Sequence, residues 1–263
     1  MRLRTRRRLT RGAAYVIFVA VLLTVVLSAD WGRLAESFLR PDVAGRMFPG
    51  VVTTALLNTV IYTVLAFVFG LVVGLALALA RLSSVAPYRW FATAYIEIFR
   101  GLPALLVLFL VGYGIPLAFP DREIPGGLYG SVTVGLGATA AAYTAETLRA
   151  GIQAVPRGQT EAARSLGMSA PRAMMSIILP QALRIVLPPL TNEFVSLTKD
   201  TSLVYVLGVT AGTIELTKFA SDALNQEVNV TPLVVAGLLY LVITLPLSQL
   251  VRLLERRSAR AVR

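Results

Sequence analysis

The chain has 263 residues, of which 56% are hydrophobic and 15% charged, where an ordinary soluble domain carries about 25% charged residues. This is membrane composition. With no Cys and no His, disulfides, thiolate nucleophiles, histidine bases and the common zinc sites are excluded. The net charge of +11 does not point to nucleic acid, because six arginines lie in residues 1–11 and five in residues 252–263, at the two ends of an apolar chain. That is how a membrane protein marks its cytoplasmic side.

In chain order, the basic start leads into an apolar run over residues 13–28. The run could be a signal peptide with Leu27, Ser28 and Ala29 as candidate cleavage residues. It is about as long as a marginal span, and an uncleaved signal-anchor is the favoured reading. Residues 29–50 carry nearly balanced charge and read as an external loop that could hold a surface helix. Residues 51–80 form the longest apolar run, beyond the ~20 residues a span needs, so this helix must tilt or protrude. Gly70 and Gly74 give it a small-xxx-small packing signal. Residues 81–89 are a short basic loop.

The next span covers residues 91–114 and contains Arg100, Gly101, Leu102 and Pro103, where Gly and Pro together should break or kink the helix. Glu97 and Arg100 are three apart and can pair on one helical face. A turn-rich loop with Pro116, Pro120 and Pro125 leads to a fourth span over residues 128–148, crowded with small residues. Glu146 and Arg149 mark its cytoplasmic end. A basic cytoplasmic loop follows, then a fifth span over residues 185–207, an acidic external loop, a last span over residues 230–251, and the basic tail. The fold class is all-α: a multi-pass membrane protein of six predicted spans, both termini cytoplasmic.

Two stretches stand out. Residues 161–180 read as two short helices around a corner. Ala162, Ala163 and Leu166 give the first helix a small apolar face, with Arg164 on another side, and Gly167 sits where a left-handed stop is needed. Ser169 can cap the second helix, Pro171 fits its first turn, and Pro180 should kink or end it. On the fifth span, Asn192, Glu193, Ser196, Lys199 and Asp200 recur at helical spacing. Ionisable groups at membrane depth are costly unless paired or wetted, so this face should look at protein or water. It reads as a polar pathway for a charged solute. The competing reading has Lys199 and Asp200 snorkel to the outer interface, leaving only Glu193 in need of a partner. No phosphate loop and no catalytic constellation occur in the sequence.

Glu161, Ala162 and Ala163, then Gly167, Ile177, Leu179 and Pro180, match the EAA loop of ABC importer permeases at each signature position. FRGLPALLVLFLVGYGIP, AAYTAETLRAGIQAVPRGQTEAARSLG, ILPQALRIVLPPL and NEFVSLTKDTSLV resemble the polar amino-acid uptake permeases of that family, for histidine, glutamate, glutamine, arginine or opines. The resemblance covers about residues 56–207. It implies a type I importer core of five helices preceded here by an extra N-terminal helix: residues 1–50 form the added segment, residues 51–252 the transport domain and residues 253–263 the tail.

It further implies a bacterial cytoplasmic-membrane location and a coupling helix in which Glu161, Ala162, Ala163, Arg164, Leu166 and Gly167 meet a separate ATPase subunit. The chain itself would bind no cofactor, ATP and Mg belonging to that partner. A second permease copy or paralogue, an extracytoplasmic solute-binding protein, membrane lipid and a polar amino acid complete the implied assembly. Glu193 matches an acidic position that the resemblance places at the transmembrane substrate site of the basic amino-acid permeases in the group, and Leu102 and Val107 depart from a Thr and a Gln common there. Rival readings are the same importer with an opine or osmolyte as cargo, and an ion-gradient secondary transporter, which should show an inverted repeat.

Overall fold

The computed structural model describes the backbone of residues 2–122 and 124–261 and the side chains of residues 11–122 and 124–255. The expected basic termini, residues 1–11 and 253–263, thus lie largely outside the described side chains. Every regular element among the described residues is a helix. α1 (Arg2–Ser28) carries the first apolar run, and the short α2 (Trp31–Phe38) and α3 (Pro41–Arg46) follow it. α4 (Leu57–Leu82) continues a π-helical turn at Val51–Leu56, so Val51–Leu82 is one apolar rod of 32 residues. At 1.5 Å per residue it is about 48 Å long, well over the ~30 Å of a hydrocarbon core.

α5 (Ala86–Gly101) is followed by α6 (Ala104–Phe109), which runs through a π-helical turn at Leu110–Gly114 into α7 (Ile115–Ala118). The two halves meet at 107°, so the expected single span over residues 91–114 is a corner rather than a kink. Leu102 and Pro103 are both extended there. Pro103 has no N–H to give and its ring excludes a helical Leu102, which opens the helix at this point.

α8 (Gly127–Ala154) occupies the centre and packs against α4, α5, α6 and α11. Half of its 28 residues are buried, most of them Gly, Ala, Ser or Thr. An added Cβ at Gly70 would lie 2.8 Å from Ala140 Cβ, and one at Gly74 would lie 2.8 Å from Thr144 Cβ. The Gly70/Gly74 face of α4 therefore sits directly on α8, and the missing side chains set the helix separation. Around this contact lie two core clusters. One gathers Tyr62, Leu108, Leu136, Leu197 and Val204; the other gathers Leu77, Ile96, Leu148, Val186 and Leu190.

After α8 come α9 (Arg157–Ser165) and α10 (Ala170–Ala173), a π-helical turn at Met174–Ile178, α11 (Leu179–Asp200) and a 3₁₀ turn at Thr201–Leu207. The expected fifth span began at residue 185, with Pro180 kinking or ending the helix before it. Instead helical structure continues over Ala170–Leu207, 38 residues. The π-helical turn just before Leu179 widens the backbone and accommodates the donor that Pro180 lacks. α12 (Leu216–Glu227) and α13 (Thr231–Ala261) complete the chain.

Among the described residues four helices are long and apolar enough to cross a membrane, and the bent α5–α7 unit makes a fifth if taken as one span. α8 falls outside this set because small residues and hydroxyls lower its hydropathy, which a helix shielded from lipid tolerates. At the end of the molecule away from α9, a polar network pins residues 208–215. Asn58 Nδ2 donates to the Gly212 and Ile214 carbonyls, both at 2.9 Å, and Tyr62 Oη donates to the Thr213 carbonyl at 2.7 Å. The fully buried Glu215 caps α12, accepting from Thr217 N–H at 2.6 Å and Lys218 N–H at 2.7 Å. Burial raises its pKa, against the hydrogen bonds that favour the charged form.

Candidate functional site

The corner between α5 and α6 opens onto a cavity of about 430 Å³. Leu102, Pro103 and Ala104 form one wall. α8 contributes Leu136, Thr139, Ala140 and Tyr143, and α11 contributes Glu193, Ser196, Leu197, Lys199 and Asp200. The helix break and the polar face of the fifth span, read separately in the sequence, thus meet at one place. Glu193 and Asp200 are seven residues apart, about two turns, with Ser196 between them, and all three line the cavity. No ion pair holds Glu193, Lys199 or Asp200 among the described residues.

Not every expected residue is in this lining. Asn192 is exposed and is absent from the cavity wall, as are Arg100 and Gly101. Arg100 acts at one remove: its guanidinium lies 5.6 Å from the centroid of the Tyr143 ring, a cation–π distance. The pair expected between Glu97 and Arg100 is not formed among the described residues, because Arg100 at the end of α5 turns to that ring instead. Val107 is buried in the core and does not reach the cavity, whereas Leu102 lines it, so only one of the two departures from the amino-acid permease pattern bears on this space.

Thr139 and Tyr143 are contributions that the sequence did not single out. Their spacing of four puts them on one face of α8. The Thr139 hydroxyl is buried and has no hydrogen-bond partner, whereas Thr133 on the same helix donates to the carbonyl four residues before it. The cavity therefore combines carboxylates, an ammonium, hydroxyls and an aromatic face. Such a set can meet both the ammonium and the carboxylate of a zwitterion.

A contrasting charged cluster lies where α4 and α8 meet. Glu146 accepts from Arg81 Nη1 at 2.6 Å and from Arg149 Nε at 3.1 Å, and Arg149 also reaches Gln153. The carboxylate here is held by two guanidiniums.

In the stretch over residues 161–180, Gly167 takes a left-handed φ of +80°, Gly167 N–H bonds the Arg164 carbonyl, and Met168 N–H bonds the Ala163 carbonyl. This double closure ends α9 at the glycine, as its position in the sequence required. Ser169 precedes α10 in an extended conformation and Pro171 is in its first turn, but the Ser169 hydroxyl makes no cap bond. The expected apolar face is split: Ala163 is buried, while Ala162 and Leu166 are exposed, Leu166 at 84%. Glu161, Arg164 and Gly167 are exposed as well.

Residues 66–260 match the family described as binding-protein-dependent transport system inner membrane component. The chain is 41% identical over 202 residues to the probable glutamine ABC transporter permease protein GlnM of Bacillus subtilis (strain 168), covering 76% of this chain and 89% of that one. It is 41% identical over 213 residues to the glutamate/aspartate import permease protein GltK of Escherichia coli O6:H1, covering 78% and 92%. The crystal structure of an amino acid ABC transporter with histidines superposes with a TM-score of 0.72 at 37% identity, over 81% of this chain and 96% of that chain. The chain therefore belongs to the family of binding-protein-dependent transport system inner membrane components, transport subunits served by separate ATP-hydrolysing subunits.

Proposed function

We propose that the chain forms the substrate pathway of an ABC importer for a polar amino acid, with the cavity between the α5–α6 corner, α8 and α11 as its transmembrane substrate site. The observation that carries this reading is the convergence of Glu193, Ser196, Lys199 and Asp200 on one cavity with no ion pair among the three charged groups. Glu193 offers a carboxylate to a substrate ammonium, and the Ser196 hydroxyl supplies an orienting hydrogen bond. The amino-acid names of GlnM and GltK support the cargo class.

The chain crosses the membrane six times in this reading: Arg11–Ser28, Val51–Leu82, the bent unit, α8, Ala170–Leu207 and Thr231–Glu255, with both termini on the side of α9. α9 is the coupling helix. Exposed Glu161, Ala162, Arg164, Leu166 and Gly167 meet a cleft in the ATPase subunit, and Ala163 anchors the helix from within. The full importer holds two permease subunits, two ATPase subunits that bind ATP and Mg, and an extracytoplasmic solute-binding protein. ATP-driven closure of the ATPase pair moves α9, and the bent unit and α11 open the cavity to the binding protein.

Reconstituted importer supplied with a panel of amino acids tests this. ATP hydrolysis stimulated by one polar amino acid is expected, and Gly167→Asp or Glu161→Arg should uncouple uptake while leaving membrane insertion intact. Normal import by both variants removes α9 from the coupling role. Stimulation by no amino acid, with response to an opine or osmolyte, replaces the cargo.

A further inference from the structure

We propose that α2 lies flat in the membrane interface, with Trp31, Leu34 and Phe38 set into the boundary between lipid headgroups and acyl chains. At 100° per residue, Trp31, Leu34, Ala35 and Phe38 fall within an arc of about 100°, and Gly32, Arg33, Glu36 and Ser37 fill the other side. None of the eight residues is buried; Trp31 is 58% exposed, Leu34 41% and Phe38 42%. This apolar face is left largely uncovered by the protein, which meets α2 through the start of α13.

Its surroundings name the occupant. Only Ala29 and Asp30 separate α2 from α1, whose segment Arg11–Ser28 is apolar enough to span and is 0% buried, so lipid covers the run that leads into α2. The other end is tied to a second span. Asn229 Nδ2 donates to the Glu36 carbonyl at 2.8 Å, Val230 N–H to the Ser37 carbonyl at 3.0 Å, and Arg40 N–H to Thr231 Oγ1 at 3.0 Å. Thr231 is the first residue of the span Thr231–Glu255. A helix fixed at both ends to the ends of membrane spans lies along the membrane surface.

The polar atoms agree with this placement. The Trp31 indole N–H donates to the Val26 carbonyl at 2.8 Å, satisfying one of the open carbonyls at the end of α1 and leaving the ring free to enter an apolar layer. Arg33 pairs with Asp30 at 3.2 Å on the polar side. Trp at the headgroup level with charge facing water is the arrangement of an interfacial helix.

Because the chain has no cysteine, Leu34→Cys and Glu36→Cys each create a unique label site in an importer whose partner subunits are cysteine-free. Each is labelled with a nitroxide in the assembled importer in lipid bilayers, and collisions with oxygen, enriched in lipid, are compared with collisions with a nickel chelate, confined to water. The oxygen-to-nickel ratio is expected to be several-fold higher at Leu34 than at Glu36, and Phe38→Cys is expected to follow Leu34. Equal ratios at the two faces would put the apolar face in water and overturn the proposal. Exclusion of both reagents at Leu34 would also overturn it, showing that the binding protein or a second permease copy covers the face.

Discussion

Glu146 and Glu193 sit on neighbouring central helices, α8 and α11, and the protein treats them in opposite ways. Glu146 is held by Arg81 on α4 and by Arg149 one turn along its own helix. Glu193 faces a cavity shared with Asp200 and Lys199, and no ion pair ties any of these three among the described residues. A carboxylate at membrane depth is stable when its charge is matched within the protein, and is otherwise kept at a cost. The contrast separates a charge matched within the helix packing from one that no ion pair matches among the described residues.

Three substitutions sharpen the contrast. The largest loss should come from the packing of α4 on α8, the helix that carries Glu146. Gly74→Leu drives a Cβ to 2.8 Å from Thr144 and 2.9 Å from the Ala141 carbonyl, so α4 and α8 cannot keep their separation. We expect about 3 kcal/mol of destabilisation, read as near-absence of folded protein in the membrane fraction. Wild-type yield and thermal midpoint would show that the helices can part without loss.

Next, Glu146→Ala leaves Arg81 and Arg149 facing each other unpaired. Their side chains are each 22% exposed, so the cost is lower than for a fully enclosed pair, about 2 kcal/mol. The thermal midpoint of the purified complex should fall, while substrate preference stays as in wild type. A change of preference without loss of stability would move Glu146 into the pathway.

Smallest in stability is Glu193→Gln, which keeps shape and changes charge at a position with no ion partner. Its stability should change by no more than about 0.5 kcal/mol, while uptake or substrate preference changes by about tenfold or more. Opposite behaviour of the two glutamates is the expected pattern; equal loss of stability would make Glu193 a structural residue like Glu146.

Much of this was legible in the residues. Gly167 and Pro171 dictate a corner by local chemistry, and the structure forms it without the cap bond expected of the Ser169 hydroxyl. Gly101 and Pro103 signalled a break, though not a turn of 107°, which no local residue chemistry specifies. The cavity was half legible. The polar face of α11 shows by its spacing against an apolar background, but Thr139 and Tyr143 do not. α8 is buried with small residues over much of its surface, so no stripe marks the side that faces the cavity. Asn192 falls between Ser196 and Lys199 in helical projection yet stays out of the lining, so the spacing alone does not say which residues of the stripe reach the cavity.

The pathway assignment is tested most directly at Ser196, which lines the cavity between Glu193 and Asp200. In a chain without native cysteine, Ser196→Cys supplies one thiol in the cavity and Asn192→Cys a control outside it. Their reaction with a small charged thiol reagent is followed in the assembled importer, with and without the amino acid that stimulates ATP hydrolysis. Protection of Ser196→Cys by that amino acid, with Asn192→Cys unaffected, is the expected result. Labelling of Ser196→Cys at the same rate with and without substrate would contradict the assignment of this cavity as the substrate site.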